Sequence, residues 1–317
     1  FVHIDERNIT YSEPRLNLYL TIATFRILFM RVIISDYLKA LLQYILPKQR
    51  LTIFAGIMAN NQNPATKNKL IRYFINKYKV NMNEALEENI DAYPTFNAFF
   101  IRHLKPQCRP IANADVISPV DGYISEIGDI KQGMLLQAKG RDYSLEKLLA
   151  CDPTLSQQFN GGLFATLYLS PQDYHRVHMP IEGILKEMTY VPGKLFSVQP
   201  ATARVIPKLF ACNERLVVIF ETSVGLMAMV LVGATIVGAI GTTWAGDIPR
   251  GQQNRHTTYP QPLLLKKGEE MGYFKLGSTV ILLFAEKHRL QWEMNLSAGD
   301  KIRFGQAFGT IHTNGIE

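Results

Sequence analysis

The chain contains 317 residues, of which 47% are hydrophobic and 19% are charged, so it can bury a sizeable core and is not mainly disordered. Its 34 Lys and Arg outnumber its 27 Asp and Glu, and the resulting formal net charge of +7 favours an anionic surface as a partner. Three widely separated cysteines, Cys108, Cys151 and Cys212, form no CxxC pair, which argues against a disulfide framework and a thiolate metal site.

The first apolar segment, residues 16–34, is long enough to span a bilayer, but it contains Arg26 and Arg31. Each arginine would cost about 2.5–3.5 kcal/mol near the centre of a membrane helix. A helix that lies in the membrane interface fits these two charges better. Residues 1–37 are therefore predicted to be an N-terminal extension at the membrane interface.

Three stretches after this extension repeat apolar residues at helical spacing. Their apolar positions are Leu38, Leu41, Leu42 and Ile45, then Leu51, Phe54, Ala55 and Met58, then Leu70, Ile71, Phe74, Ile75 and Tyr78. Residues 37–83 also lack Asp and Glu but contain eight basic side chains, namely Lys39, Lys48, Arg50, Lys67, Lys69, Arg72, Lys77 and Lys79.

Basic amphipathic helices of this kind bind anionic lipid, at about 1 kcal/mol per basic side chain near the headgroups. Residues 38–110 are therefore predicted to form a helical, membrane-associating region. The alternative is a solvated helical face on a soluble bundle. Nucleic acid is not expected as a partner, because no recognition motif accompanies the basic residues.

Residues 111–317 change to short β-rich runs separated by Gly, Pro and Asp. Strands are predicted at 122–130, 134–140, 163–170, 183–191, 215–222, 225–240, 278–285 and 306–312, and one clear helix is predicted at 143–151. The predicted fold class is α+β, with N-terminal amphipathic helices followed by an antiparallel β-rich catalytic body. Residues 118–128 and 297–311 each resemble the turn-and-strand pattern of lipoyl carriers, so barrel-sandwich-like elements are expected.

Reactive side chains concentrate in three segments of this body. They are SPVDG with Asp121, SPQDYHRVHMP with Asp173, His175 and His178, and LGST with Ser278. In an extended chain, a spacing of three directs the two histidines to opposite faces, so they are expected to have different roles.

Residue types alone leave several functions open. A serine hydrolase would use Ser278, although no GxSxG elbow is present. A zinc hydrolase would use the histidines, although HRVH is not HExxH and no third ligand is marked, so no metal is expected. A non-enzymatic barrel-sandwich binding module is the third alternative.

The position of Gly277 and Ser278, directly before a buried strand, suggests a different chemistry. A serine hydroxyl can attack the carbonyl that precedes it and convert the peptide bond into an ester, provided that a base removes its proton. Glycine gives the backbone the required freedom. Elimination of the ester and hydrolysis of the resulting dehydroalanine would turn the serine into a pyruvoyl group and release ammonia.

Five motifs carry a family resemblance: SPVDG, YHRVHMP, VPGKLFSV, LVGATIVG and LGST. Together they make residues 38–313 similar to the bacterial phosphatidylserine decarboxylases, which depend on a pyruvoyl group. The resemblance implies self-cleavage between Gly277 and Ser278, giving a β chain of residues 1–277 and an α chain of residues 278–317. Residues 1–37 precede the usual start of the family.

The resemblance also implies roles for individual residues. Asp121, His178 and Ser278 would form the triad for self-cleavage, with His178 as the base and Asp121 orienting its imidazole. His175 would assist decarboxylation as a proton donor or by holding the polar head of the substrate. Two further residues, Asp173 and Thr279, would have supporting roles.

The VPGKLFSV motif is expected to contribute to substrate binding through Lys194, Leu195 and Phe196, with ordinary core packing as the alternative. The implied reaction converts phosphatidylserine into phosphatidylethanolamine through a Schiff base with the covalent pyruvoyl cofactor, without pyridoxal phosphate. Decarboxylases of other amino-acid-derived substrates share this chemistry, but the membrane-directed N-terminus favours a lipid.

The expected partners are phosphatidylserine in an anionic membrane and the protein's own two chains after cleavage. A homodimer is an option that the sequence leaves open. The expected location is peripheral, on the cytoplasmic face of the cell membrane.

Overall fold

A computed structural model describes residues 34–138, 140–150, 153–235 and 239–312. Helices dominate the first part of this range and antiparallel strands dominate the rest, so the predicted α+β class is confirmed. Most of the predicted interfacial segment, residues 16–33, lies outside the described residues, as does Cys151. None of the helices formed by the described residues is long and apolar enough to cross a bilayer.

Residues 34–45 form the first helix, α1. The later helices are α2 (Lys48–Ala59), α3 (Pro64–Tyr78), α4 (Phe96–Phe100), α5 (Leu145–Leu149), α6 (Pro153–Gln158), α7 (Pro200–Ala203) and α8 (Leu209–Cys212). The ends of α3 follow from its sequence. The Asn63 side chain accepts hydrogen bonds from two first-turn amides, Pro64 occupies the first position, and Lys79 in the left-handed conformation ends the helix.

Seventeen strands are present in the described residues. They are β1 (Val116–Ile117), β2 (Gly122–Asp129), β3 (Met134–Ala138), β4 (Arg141–Ser144), β5 (Leu163–Leu169), β6 (Arg176–His178), β7 (Gly183–Val191), β8 (Arg215–Thr222), β9 (Gly225–Val232), β10 (Ala239–Thr242), β11 (Gly246–Asp247), β12 (Arg255–Leu265), β13 (Glu270–Lys275), β14 (Ser278–Phe284), β15 (Leu290–Trp292), β16 (Lys301–Ile302) and β17 (Ala307–Ile311).

The largest sheet has eight strands in the order β12-β7-β8-β9-β14-β5-β2-β16. Strand β14 lies inside this sheet, and all seven of its residues are buried. Val280, Leu282 and Phe284 point into one hydrophobic cluster, whereas Ile281 and Leu283 point into a second cluster on the other face. This burial on both faces explains the continuous apolar run in the sequence.

A four-stranded sheet has the order β11-β10-β13-β6. Strand β13 belongs to this sheet and the next strand, β14, belongs to the large sheet, so the chain changes sheets at Leu276 and Gly277. The predicted strand over residues 225–240 divides in a similar way, because β9 lies in the large sheet and β10 in the small one.

The two segments that resemble lipoyl carriers pair with each other through β2 and β16, and β1, just before the first segment, pairs with β17. The described sheets are nevertheless open, and they do not close into a barrel.

Two sequence predictions need correction in this body. The helix predicted at 143–151 is shorter, because residues 143 and 144 belong to β4 and α5 spans Leu145–Leu149. The longest strand, β12, was not predicted. It lies at a sheet edge, is mostly exposed and contains Pro260 and Pro262, so it lacks a buried apolar pattern.

The three predicted apolar stripes have different surroundings. The third stripe forms a core with α4, in which Ile71 and Phe74 pack with the aromatic rings of Phe96, Phe99 and Phe100. Most of the first two stripes, on α1 and α2, is exposed instead. The exposed apolar side chains there are Ile34, Tyr37, Leu38, Leu41, Leu42, Tyr44, Ile45, Leu46, Leu51, Ile53, Phe54 and Ile57.

One of the eight basic residues predicted to face lipid points into the protein instead. Lys67 is buried, and its ammonium donates hydrogen bonds to the carbonyl of Asp91 at 3.0 Å and to that of Tyr93. Two acceptors satisfy the buried charge, so this residue joins α3 to the following loop and cannot contact lipid.

Candidate active site

Ser278 is the first residue of β14, where its backbone pairs with Leu169 of β5. The residue is fully buried, and its hydroxyl has no hydrogen-bond partner. A buried hydroxyl without a partner costs free energy, since nothing replaces the water that it loses on folding. Such a group requires a specific explanation, and Ser278 also occupies the position where the sequence predicts chemistry.

The two preceding residues have unusual backbone conformations. Leu276 has a φ of 78° and Gly277 a φ of 58°, both in the left-handed region. A non-glycine residue loses about 1–2 kcal/mol there, and at Leu276 this cost is offset because the side chain packs against the α3–α4 core. A Cβ added to Gly277 would meet no atom within 4 Å, so glycine is required for its conformation rather than for space.

Gly277 and Ser278 line a cavity of about 320 Å³ between the helical region and the β body. Most of its wall is apolar or aromatic, and the main contributors are Met58, Leu70, Tyr73, Phe74, Phe96, Phe100, Tyr168, Leu169, Val198 and Leu276. Ser197, Gln199 and Thr235 are polar residues that also line it. The cavity can therefore accept an apolar molecule with one polar end that reaches Ser278.

His178 is held by two hydrogen bonds and an aromatic stack. Its Nδ1 lies 3.0 Å from the carbonyl oxygen of Gly268, which can only accept, so Nδ1 carries the proton. The unprotonated Nε2 then accepts from the hydroxyl of Tyr174 at 3.1 Å. The ring of Phe304 stacks on the imidazole at a centroid distance of 3.7 Å. Burial lowers the pKa of His178 to about 4, so the ring is neutral at pH 7 and can accept a proton.

Asp121 has partners that the predicted triad did not include. Its carboxylate accepts from Arg109 Nε at 2.9 and 3.0 Å and from the backbone amide of Phe304 at 2.8 Å. Both ring nitrogens of His178 are bonded elsewhere, and the Ser278 hydroxyl is unpartnered, so the hydrogen-bond chain expected from the triad is absent among these residues. Asp121 is linked to His178 only through Phe304, whose amide it binds and whose ring stacks on the imidazole.

His175 lies on a different side of the same segment, as its spacing from His178 predicted. Its Nδ1 donates to the carbonyl of Asp173 at 2.8 Å, and its ring lies 4.2 Å from that of Phe100. The remaining nitrogen, Nε2, is buried and has no partner. Burial lowers the pKa of His175 to about 3, and the nearby Arg102 acts in the same direction. The ring is therefore neutral, with a free lone pair.

The two residues predicted to have supporting roles are both buried. The Asp173 carboxylate accepts from the backbone amide of Ser170 at 2.7 Å, and burial raises its pKa. Thr279 follows Ser278 in β14, and its hydroxyl also lacks a partner.

Several residues of the site were missed by sequence reasoning. Arg102 is buried, with two guanidinium nitrogens unpartnered, and Arg109 binds both Asp121 and Glu84. Both arginines line a second, polar cavity of about 200 Å³ together with Asp121 and Asp173. Tyr174, which binds His178, was missed as well. It lies in the YHRVHMP motif, so its position next to the two histidines in the sequence could have indicated it.

The residues predicted to bind substrate lie elsewhere. Lys194, Leu195 and Phe196 line a cavity against the start of α2, and none of them lines the cavity of Ser278. Leu195 and Phe196 are buried, in agreement with the packing alternative. The next residues of the motif, Ser197 and Val198, do line the Ser278 cavity.

Comparison with known proteins identifies the family of this chain. A family model described as phosphatidylserine decarboxylase matches residues 96–310, and a second, described as PSD, matches residues 38–79. These matches place the chain among decarboxylases. It belongs to the phosphatidylserine decarboxylase family, which confirms both the resemblance seen in its motifs and the predicted enzyme class.

Individual relatives are similar over most of their length. A phosphatidylserine decarboxylase proenzyme of Legionella pneumophila (strain Lens) is 58% identical over 279 residues, which cover 87% of this chain and 99% of that protein. The proenzymes of Polaromonas naphthalenivorans and Shewanella loihica are 50% and 49% identical, with 98% and 99% of those proteins covered. The word proenzyme implies that these relatives are processed.

The lowered histidine pKa values predict how stability depends on pH. An unfolded histidine titrates near 6.5, so below this pH the unfolded chain binds protons that His175 and His178 cannot take up in the fold. Stability from these residues is complete above about pH 6.5 and is lost as the pH falls toward 4. Each should contribute a loss of about 2 kcal/mol between pH 6.5 and 5.

The measurement is the melting temperature of the Ser278→Ala chain from pH 7.5 to 4.5. Adding His178→Gln should flatten the dependence on pH, whereas adding His288→Gln, at an exposed histidine, should not. An equal slope in all three proteins would contradict the buried neutral state of His178.

Proposed function

We propose that this chain decarboxylates phosphatidylserine to phosphatidylethanolamine, using a pyruvoyl group that it makes from Ser278 by cutting its own Gly277-Ser278 bond. One observation carries the proposal: Ser278, whose hydroxyl is unpartnered, follows a left-handed turn and borders an apolar cavity. Membership of the family and the proenzyme names of the relatives support it.

The proposed cleavage begins when Ser278 Oγ attacks the carbonyl carbon of Gly277. The carbon–nitrogen bond breaks, which leaves the Gly277 acyl group on Oγ as an ester and a free amine on Ser278. Loss of the Ser278 Cα proton then breaks the Cβ–Oγ bond, so the β chain ends in the Gly277 carboxylate. Water converts the dehydroalanine left at 278 into a ketone and releases ammonia.

His178 is the proposed base for the first step, because its neutral ring has Nε2 free of a proton. Tyr174 now donates to this nitrogen, so the proton from Ser278 reaches it either after Tyr174 moves away or through the Tyr174 hydroxyl. Asp121 is assigned as a positioning residue. It holds the backbone of Phe304, and the Phe304 ring fixes the plane of the imidazole.

The site fits a pyruvoyl group at residue 278, because the position borders the cavity and its side chain has no hydrogen-bond partner to lose. The group supplies a ketone for the substrate amine and an electron sink for the pair released with CO2. His175 is neutral with an accepting Nε2, so its proposed role is to take a proton from the substrate ammonium and to return it to the product.

The surroundings of the cavity support a lipid as substrate. Its wall includes Ala55 and Met58 of α2, the helix that also exposes Phe54 and Ile57. Apolar side chains exposed in such numbers on α1 and α2 indicate a surface that meets another apolar phase. We propose that this surface enters the bilayer interface and that the substrate passes from there into the cavity.

The first prediction concerns the polypeptides in the active protein. Intact mass spectrometry should show residues 278–317 as a separate chain whose N-terminus carries a ketone, because the hydroxyl and its neighbouring carbonyl react with each other. Ser278→Ala should remain uncut and release no CO2 from phosphatidylserine. Ser223→Ala, at an exposed serine, is the control and should be processed normally. A fully active single chain would refute the proposed cleavage.

The second prediction separates the two histidines. His178→Ala should stay uncut, because Ser278 loses its base, and Asp121→Ala should be cut more slowly. His175→Ala should be cut and gain the ketone, yet lose about 10²- to 10⁴-fold in CO2 release, the range typical of a missing acid or base. A gel and a CO2 assay test all three, with His256→Ala at an exposed histidine as control. Normal processing of His178→Ala would refute the assignment.

The third prediction concerns the apolar surface of α2. Phe54→Ser with Ile57→Ser should weaken sedimentation with vesicles of phosphatidylcholine and phosphatidylglycerol at least tenfold, because two large side chains no longer leave water. The control replaces two exposed apolar residues of the β body, Leu264→Ser with Met294→Ser, and should bind as before. Equal binding by both variants would exclude α2 from the membrane contact.

A further inference from the structure

The cavity lined by Lys194, Leu195 and Phe196 contains cationic side chains, unlike the mostly apolar cavity of Ser278. Its volume is about 450 Å³, and it lies between the start of α2 and the segment 193–196. It shares no lining residue with the Ser278 cavity. We propose that this cavity binds the phosphodiester headgroup of an anionic phospholipid that is not the substrate.

Three cations converge on this cavity, namely Lys48, Arg50 and Lys194. The ammonium groups of Lys48 and Lys194 lie 4.5 and 5.5 Å from the centroid of the same ring, that of Phe196. Within the described part of the chain, none of the three forms an ion pair with a carboxylate. The charge of Lys194 acts unfavourably on the Lys48 ammonium, and an anion bound in this cavity would offset that repulsion.

The state of Lys48 agrees with this view. Burial and the charge of Lys194 both lower the pKa of the Lys48 ammonium. The first turn of α2 also contains no acidic residue and no side-chain cap, so its backbone adds positive potential at the same place.

The cavity is already formed in the protein. The side chain of Asn213 accepts from the backbone amide of Phe196 at 3.1 Å and donates to the Phe196 carbonyl at 2.8 Å. The backbone amide of Lys194 donates to Cys212 at 2.8 Å, and the ring of Tyr44 lies 5.1 Å from that of Phe196. Binding therefore requires little rearrangement of the backbone, which lowers its entropic cost.

A lipid is favoured over a free phosphate because of what surrounds the cations. Leu42, Tyr44, Ile45 and Leu51, on the same two helices, are exposed apolar side chains. A cationic cavity bordered by apolar side chains matches a headgroup whose acyl chains continue into the bilayer. This inference rests on the proposed membrane contact, and it changes the expected role of Lys194 from substrate binding to binding of a second lipid.

The test uses the cut, full-length enzyme and dihexanoyl phosphatidylglycerol below its micelle concentration, measured by calorimetry. This probe carries a phosphodiester anion but no amine that could react with a ketone. We expect saturable binding of one equivalent. Lys48→Gln with Arg50→Gln should weaken it at least about tenfold, since each cation near a headgroup contributes several-fold. Lys69→Gln with Lys77→Gln removes the same charge from exposed positions of α3 and should change it less than about twofold.

Two further arms identify the ligand and the site. Inorganic phosphate that binds as tightly as the lipid would overturn the lipid assignment.

In the other arm, the enzyme is treated with dihexanoyl phosphatidylserine and with cyanoborohydride, which reduces the Schiff base and so fixes the lipid covalently in the Ser278 cavity. The mass of the α chain reports this adduct. Binding of phosphatidylglycerol should persist in that protein, and its loss would mean that both lipids use one site. Absence of the adduct would count against the proposed function, whereas equal binding by the two double variants would overturn only the headgroup site.

Discussion

Burial of both faces of β14 fixes the position of the Gly277-Ser278 bond. The strand is paired on both edges and contributes alternate side chains to two hydrophobic clusters, so its first residue cannot shift without disturbing the core. Strand β13, just before it, is fixed in another sheet by β10 and β6. The two residues between them must make the corner, and they do so in the left-handed region. The left-handed conformation of this corner is thus maintained by the stability of the strands on either side.

The same packing sets the electrostatics of the site. His175 and His178 are buried, and each Nδ1 is bonded to a backbone carbonyl, so burial keeps both rings neutral and the carbonyls direct the free lone pair to Nε2. The backbone carbonyls alone set the tautomer in which Nδ1 carries the proton, so no carboxylate is needed for it. The charge of Asp121 is matched by Arg109, which is itself bonded to Glu84 in the helical region. The polar side of the site therefore joins the helices to the β body.

Sequence reasoning succeeded where local pattern and local chemistry agree. The apolar run of β14, the amphipathic α3 and the clustering of Asp173, His175 and His178 all depend on neighbours along the chain, and the order of helices before antiparallel strands followed from them. The motifs also led to the hypothesis about Ser278 and its glycine, since the chemistry of that pair needs no knowledge of distant residues.

What sequence reasoning could not provide are contacts made by residues far apart. Lys67 sits on a basic helix, and only the position of the carbonyls of Asp91 and Tyr93 shows that it points inward. Asp121 was predicted to orient the imidazole of His178, but its carboxylate accepts hydrogen bonds from Arg109 and from the amide of Phe304. The exposed stripes of α1 and α2 have the same periodicity as a buried one, so spacing alone could not tell which of the three stripes would pack.

The exposed helix α1 is also connected to the substrate cavity. Most of its apolar side chains are exposed, and only Ala40 among the described residues of this helix joins a hydrophobic cluster, so its position depends largely on polar contacts. Asp36 forms a paired hydrogen bond with Arg204, and the Gln43 side-chain oxygen accepts from the amide of Ser197 at 3.1 Å and lies 3.0 Å from the hydroxyl of Thr235. Ser197 and Thr235 are part of the wall that faces Ser278. A displacement of α1 would remove the acceptor shared by these two groups, so the position of this exposed helix is coupled to two polar residues that line the cavity.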